Sequence, residues 1–390
     1  MVTPLITGVG MTAFGRFYER NLKSLARESV GLAMADSESS LEDVQAVFFS
    51  NALAGVMFGQ ECIRGETICY DLGLGNVSVV NVENACASAA TALHLAAQSV
   101  ASEQYGTVLA LGVEKMYSRD RSRPFRALWG ALDVEEVPLP DPAVTLDRSP
   151  FIDVYAERAR VLMRERGVTV DGLARVASKA WRNGVLNDKA QRRTPRSVEE
   201  ILASRELVPP LTVEMCALTG DGAAAAVVQS ADSAKDRRRA IRVVGSQVRC
   251  LSAADVGSSA ASSASRAAYE QAGIGPEDVT IAEVHDATAP GEMLSWVGTG
   301  LCAPGDEEKW AQAGHTERDG RMPVNVSGGL MARGHPIGAS GLGQIYELVR
   351  QLRGESGPLQ VTSGEVALAH VGGGVIHGET AVSCVHLLTR

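Results

Sequence analysis

Short apolar runs alternate with longer amphipathic stretches along most of this chain. Residues 4–9 (PLITGV) form a brief apolar run stopped by Gly10 and predict a first strand. Residues 22–34 (LKSLARESVGLAM) repeat their apolar positions at helical spacing. Residues 39–44 read as a cap and turn, and residues 46–49 as a strand. The next unit runs from 79 to 116. Residues 79–82 predict a strand, a run of small, helix-favouring residues follows Cys86, and Gly106 closes that helix. Residues 107–112 (TVLALG) then predict a buried strand.

From 117 to about 207 the pattern changes. A basic, proline-rich segment leads into two charged helical stretches over 153–167 and 170–183, which predict an insertion packed over the core. Its basic residues, including Arg192, Arg193 and Arg196, read first as a solvated face and second as contacts for an anionic ligand. Residues 220–228 (GDGAAAAVV) are a tight turn entering a buried strand. At 239–244 (RAIRVV) the chain starts again. Residues 267–273 predict a helix ended by glycine, residues 274–279 (IGPEDV) echo 40–44 (SLEDV), and 280–284 match 46–49. Residues 322–326 (MPVNV) precede a Gly-rich turn and a long helix, as 79–82 precede Cys86. Two copies of strand–helix–strand–helix–strand account for this order. They predict an α/β protein with mixed or parallel sheets covered by helices on both faces. The halves divide as 1–238, with the insertion at 117–207, and 239–390.

Composition narrows the field. The chain has 390 residues, 45% hydrophobic and 21% charged, as expected of a globular protein. A net charge of −9 argues against general nucleic-acid binding, while leaving room for a local basic pocket. Seven scattered cysteines without a CxxC argue against a disulfide framework or a metal site and favour a reducing, cytoplasmic setting. The N-terminus has no signal-peptide pattern, and no apolar run approaches the ~18–20 residues of a membrane span.

The candidate chemistry sits in turns. Cys86 lies where a strand passes into the first turn of a helix, whose free N–H groups and partial positive charge favour a thiolate and can hold an oxyanion. A small buried hydrophobe is the competing reading. Three of the seven histidines, His285, His335 and His370, follow strands or lie in Gly-rich turns. His94, inside the Cys86 helix, reads as a packing or surface residue. Gly334 and Gly338 flank His335, and Pro336 suits the first turn of the following helix. A pseudo-twofold between the halves would place His335 near Cys86, where it could take the thiol proton.

These segments together resemble the thiolase superfamily over essentially the whole length, and within it the sterol-carrier-protein or lipid-transfer type. The residues carrying the resemblance are Asn84-Ala85-Cys86-Ala87-Ser88, Gly220-Asp221-Gly222-Ala223-Ala224, His285-Asp286, Gly334-His335-Pro336-Ile337-Gly338-Ala339-Ser340-Gly341 and His370-Val371-Gly372-Gly373-Gly374. The resemblance implies a duplicated five-layer α-β-α-β-α fold with a loop-domain insertion, acyl-CoA substrates and a homodimer. Coenzyme A would be a substrate or product, with no permanently bound cofactor, and no residues are assigned to cofactor binding. Some members of that branch work with a small OB-fold, zinc-ribbon protein, which becomes a candidate partner here. Cys86 resembles the acyl-accepting nucleophile and His335 its base. His285 resembles the group that helps hold the thioester oxygen, and the N–H groups of Cys86 and Gly372 a second oxyanion hole.

The sequence departs from the pattern at three places. His370 stands where an ordinary thiolase has its second cysteine, and Ala287 stands where the sterol-carrier branch has one. His370 could therefore be a proton shuttle, an assistant to the thiolate or oxyanion, or a structural residue. The Lys-Asn-His segment of the branch's loop reads Lys179-Ala180-Trp181 here, which would alter substrate contacts. The expectation is a thiolase-type acyltransferase working through a Cys86 acyl-enzyme, by 3-oxoacyl-CoA thiolysis or Claisen-type condensation. The alternatives are a low-activity acyl-CoA-binding scaffold, or a carbon–carbon lyase without an acyl-enzyme.

Overall fold

The computed structural model describes residues 2–254, 259–361 and 364–390. The first half contributes β1 (Leu5–Met11), β2 (Ala46–Ser50), β3 (Ser78–Val82) and β4 (Thr107–Lys115). The insertion carries a two-stranded ribbon, β5 (Glu206–Val208) and β6 (Leu211–Thr212). After it come β7 (Asp221–Gln229), β8 (Ile241–Cys250), β9 (Ile281–Glu283), β10 (Val366–Ile376) and β11 (Glu379–Thr389). Nine of these form one mixed sheet in the order β3-β2-β4-β7-β1-β8-β11-β10-β9.

Only two residue pairs, Leu5–Arg242 and Ile6–Ile241, join β1 to β8, so the sheet divides there into two halves of the same topology. In the first, β3, β2 and β4 run parallel, and β7 and β1 follow antiparallel. In the second, a bridge at Val324, then β9 and β10, run parallel, and β11 and β8 follow antiparallel. The repeat expected from the sequence is therefore present strand for strand. Its weakest member is the counterpart of β3, reduced to the Ala282–Val324 bridge. Asn325 turns the chain there at φ +53°, and its Oδ1 accepts the Val284 N–H at 2.8 Å in place of a longer ladder.

The helices Ser88–Ala101 and Ser340–Arg353 lie between the two halves of the sheet and share one core with both. Ser88–Ala101 is rich in alanine, which lets it bury several faces at once. The two helices cross closely: a Cβ on Gly341 would lie 2.6 Å from the Ala90 nitrogen. Leu22–Asp36 covers the outside of the first half with one apolar stripe, its first turn capped by the Asn21 side chain. Ala260–Ala272 and Ala289–Gly298 pack in the second outer core. The result is the five-layer α-β-α-β-α arrangement.

The insertion sits between β4 and β7 and brings the helices Ser122–Trp129, Phe151–Arg166, Val170–Leu186 and Val198–Leu202. One of its arginines departs from the solvated-face reading. Arg192 is buried, stacks 4.4 Å from the Trp181 ring, and donates to the carbonyls of Cys216 (2.8 Å) and Met331 (3.0 Å). It ties the insertion to the second half.

Candidate active site

Cys86 occupies a single 3-10 turn, Ala85–Ala87, between β3 and the Ser88–Ala101 helix. Ala85 holds φ +48°, a left-handed conformation that costs a non-glycine residue of order 1 kcal/mol. Local hydrogen bonds fix it. Glu83 Oε1 accepts the Ala85 N–H at 2.6 Å. Ser88 Oγ accepts from the Asn84 N–H (2.8 Å) and donates to the Ala85 carbonyl (2.6 Å). The turn leaves Cys86 8% exposed, against the cavity described below. Burial, then the nearby Glu114 and Glu83 carboxyls, push its thiol up to about 12. This reverses the expectation from the helix N-terminus: desolvation outweighs it, so the resting group is a thiol.

His335 borders the same cavity. Ser340 Oγ lies 2.7 Å from His335 Nδ1 and donates its own hydrogen to the Pro336 carbonyl at 2.9 Å. With its one hydrogen on the carbonyl, the hydroxyl accepts from Nδ1–H, the tautomer that leaves a lone pair on Nε2. That Nε2 is buried with no partner among the described residues. Burial, with Arg333 nearby, holds the imidazole down at about 3. The ring is delivered by Gly334, whose φ of +114° excludes a side chain. Pro336 lies in this loop, not in the helix as expected, because the helix starts only at Ser340.

Glu114 locks the loop from the other half. Its buried carboxylate accepts from Gly338 N (3.1 Å), Asn51 Nδ2 (2.9 Å), Ala52 N (3.0 Å) and Leu53 N (3.4 Å). Burial raises it to about 7 against those donors. Ser340 stood in the motif that carries the resemblance but without a role of its own, and Glu114 did not stand out in the sequence. Both act here through contacts.

His285 follows β9, with its ring centroid 5.6 Å from that of His335 in an edge-on arrangement. Its Nδ1 is buried without a partner, and burial plus the neighbouring His335 and His370 keep it well below the ordinary imidazole value. Asp286 turns the other way and accepts the Leu330 N–H at 2.7 Å, anchoring the Gly329–Arg333 helix. His370 is buried on β10 with both ring nitrogens unpartnered and is held down at about 4 by burial. Unlike the other three, it is not part of the cavity wall. His94 Nδ1 meets Ser246 Oγ at 2.8 Å, and Ser246 in turn meets His386, a packing role.

The cavity holds about 290 Å³. Cys86, His285, His335, Ala287 and Gly372 line it together with Met116, Phe125, Phe151, Tyr155 and Ile337. Arg16, Arg148, Arg158 and Arg205 also belong to its wall. The insertion supplies much of this wall, which the sequence did not show. Lys179 is elsewhere: it is buried against Glu292 and donates to the Val324 carbonyl at 2.9 Å, while Trp181 Nε1 donates to the Glu214 carbonyl. Among the described residues no His, Cys, Asp and Glu cluster could hold a metal ion, and no helix is long and apolar enough to cross a membrane.

Comparison with known proteins agrees with this architecture. The family profile "Thiolase, N-terminal domain" matches residues 5–193, and "Thiolase C-terminal domain-like" matches residues 243–385. The chain is 32% identical to sterol carrier protein 2 of Rattus norvegicus, over 94% of this chain and 69% of that protein. It is 34% identical to the benzoylsuccinyl-CoA thiolase subunit BbsB of Thauera aromatica, over 95% of this chain and 94% of that one. Among solved structures, the Ltp2-ChsH2(DUF35) aldolase superposes with a TM-score of 0.81 at 23% identity, covering 100% of this chain and 98% of that chain. The chain belongs to the thiolase superfamily, in its sterol-carrier-protein-2 and lipid-transfer branch.

Proposed function

We propose that this protein is an acyl-CoA-dependent acyltransferase that works through a Cys86 acyl-enzyme. The observation that carries the reading is the unpartnered Nε2 of His335, with its tautomer set by Ser340, in the wall of the same cavity as Cys86. The neutral pair suits a buried site, where both charges are disfavoured until they are needed. His335 Nε2 takes the thiol proton as sulfur attacks a thioester or 3-oxo carbonyl. His285 and the N–H groups of Cys86 and Gly372 hold the resulting oxyanion, with each donor contributing roughly 3 kcal/mol. His370, behind the wall and near His285, assists the oxyanion side. The acyl group then passes to coenzyme A or a carbon nucleophile in ping-pong fashion. The four cavity arginines suit the anionic part of a CoA thioester, and the apolar wall suits its acyl chain.

The substrate class follows the branch and the thiolase subunit named above. The pairing of Ltp2 with ChsH2(DUF35) in the aldolase supports a partner protein, for which the resemblance suggests a small OB-fold protein. A homodimer, a cytoplasmic setting and a division of the halves at residues 238 and 239 complete the proposal.

The test is turnover by the Cys86→Ala variant. Cysteine and alanine are close in volume, so the fold should tolerate the change at a cost of ~1 kcal/mol. The expected result is a folded protein without acyl transfer. A variant that still cleaves its substrate carbon–carbon bond would favour the lyase reading, and a wild-type protein that binds acyl-CoA without turnover would favour the scaffold.

A further inference from the structure

Cleavage of a 3-oxoacyl thioester leaves an electron pair on C2, and a proton must reach that carbon. Cys86 and His335 are occupied with the acyl group at that moment, and position 287 in the cavity wall offers only a methyl group. Resting on the acyl-transfer reading above, we propose that Tyr155 is a further catalytic residue. Its phenol gives a proton to the substrate α-carbon and regains one from the incoming thiol.

Tyr155 lies on the Phe151–Arg166 helix of the insertion and lines the cavity with Cys86, His285, His335 and Ala287. Its ring rests against the start of the Ala289–Gly298 helix, at Gly291, four residues on from Ala287. A Cβ on Gly291 would lie 3.0 Å from the ring's Cε1 and 3.6 Å from Cζ. The glycine at 291 thus leaves the space the ring takes. Tyr155 is only 6% exposed as a residue, and its hydroxyl is not among the sealed, partnerless buried atoms, so it stays open to the cavity that the residue lines. A phenol open to a cavity can give its hydrogen to a ligand bound there. Arg158, 5.2 Å from the ring centroid, favours any negative charge that forms on the oxygen. Burial, with Cys86 and Asp286 nearby, raises the phenol to about 12, so it rests protonated.

Two rival groups are less well placed. Cys216 also borders the cavity, but its sulfur is turned to the Thr212 carbonyl at 3.5 Å. His370 is outside the wall.

The steps balance. Cys86 loses its proton to His335 Nε2, and sulfur bonds to C3. The C2–C3 bond breaks with its electrons on C2, which takes the Tyr155 hydrogen and leaves a phenolate. The thiol of coenzyme A gives its proton to that phenolate and attacks the acyl-enzyme. The departing Cys86 sulfur takes back the proton held by His335.

The test uses Tyr155→Phe, which removes only the phenol oxygen and should melt as the wild type does. Two rates are read: deuterium exchange into the α-position of acetyl-CoA in D₂O, and acylation of Cys86. The expected result is a ~10²–10⁴-fold loss of exchange, the usual contribution of a general acid–base group, with acylation within about threefold of wild type. Unchanged exchange in the variant overturns the proposal, as does a wild-type enzyme that exchanges no α-hydrogen. Loss of both rates at an unchanged melting temperature also overturns it, since the hydroxyl would then serve substrate seating. A wild type that exchanges hydrogen through Tyr155 but never acylates Cys86 overturns the acyl-transfer reading alone.

Discussion

One serine hydrogen decides what His335 can do. When Ser340 Oγ–H goes to the Pro336 carbonyl, the serine accepts from Nδ1–H and the lone pair is left on Nε2. Ser340→Ala frees the ring to adopt either tautomer. Cys86 acylation should fall by about tenfold, a fraction of the ~10²–10⁴ that a general base contributes, while the fold stays intact. A stopped-flow acylation assay reads this, and an unchanged rate would remove Ser340 from the account. The same burial fixes the pH dependence. With its folded value depressed to about 3, His335 remains a neutral base as pH falls through the ordinary imidazole value of about 6.5. Activity present at neutral pH is lost only as pH drops toward the lower value, so the acid limb of acylation should lie well below 6.5; a limb at 6.5 would contradict the burial argument. Cys86 and His335 were legible in the sequence because each sits in a turn with its own local cues, a strand-to-helix junction and a pair of flanking glycines. Ser340 was visible as a member of the His335 motif, but a serine's partner cannot be read from the motif, and Glu114 was not visible at all, since it reaches Gly338 across 224 positions of chain.

At the scale of elements, the site depends on how closely the two central helices approach. Cys86 precedes one, His335 precedes the other, and they cross where Gly341 meets Ala90. A methyl group at 341 would meet backbone at 2.6 Å, which cannot rotate away. Gly341→Ala should therefore cost about 1–3 kcal/mol in urea unfolding, the range for overpacking, and slow acylation as well. A variant of wild-type stability would mean that the helices can part without loss. Most elements of this frame were readable, since β1, β2, β4 and β7 are compact apolar runs and the Leu22–Asp36 helix repeats at helical spacing. The reading failed where tertiary contacts replaced local pattern. The short helices Ala54–Phe58 and Arg64–Leu72 are too brief for a period to emerge. The strand expected at 322–326 shrank to one bridge because the Asn325 side chain took over a ladder hydrogen bond.

For the whole molecule, duplication explains why residues 249 positions apart in sequence number, Cys86 and His335, border one cavity. Each half carries the same strand topology, and each sends the loop before its central helix into the cavity wall. That much was visible from the echo of SLEDV in IGPEDV and from the order of strands and turns. The part played by the insertion was not. Its charged helices looked like a solvated cover, yet they supply Tyr155, Phe151 and Arg158 to the wall and bury Arg192 beneath it. A charged helix shows its period in sequence but not which neighbour its apolar face will meet. On the proposed function the two halves meet to form a covalent acyl site at Cys86. Intact-protein mass spectrometry after incubation with acetyl-CoA and with a 3-oxoacyl-CoA, followed by peptide mapping, tests it most directly. The expected result is one acyl group per chain, on the Cys86 peptide, released when coenzyme A is added. Substrate consumption without an adduct, or an adduct confined to the exposed Cys62 or Cys250, would contradict it.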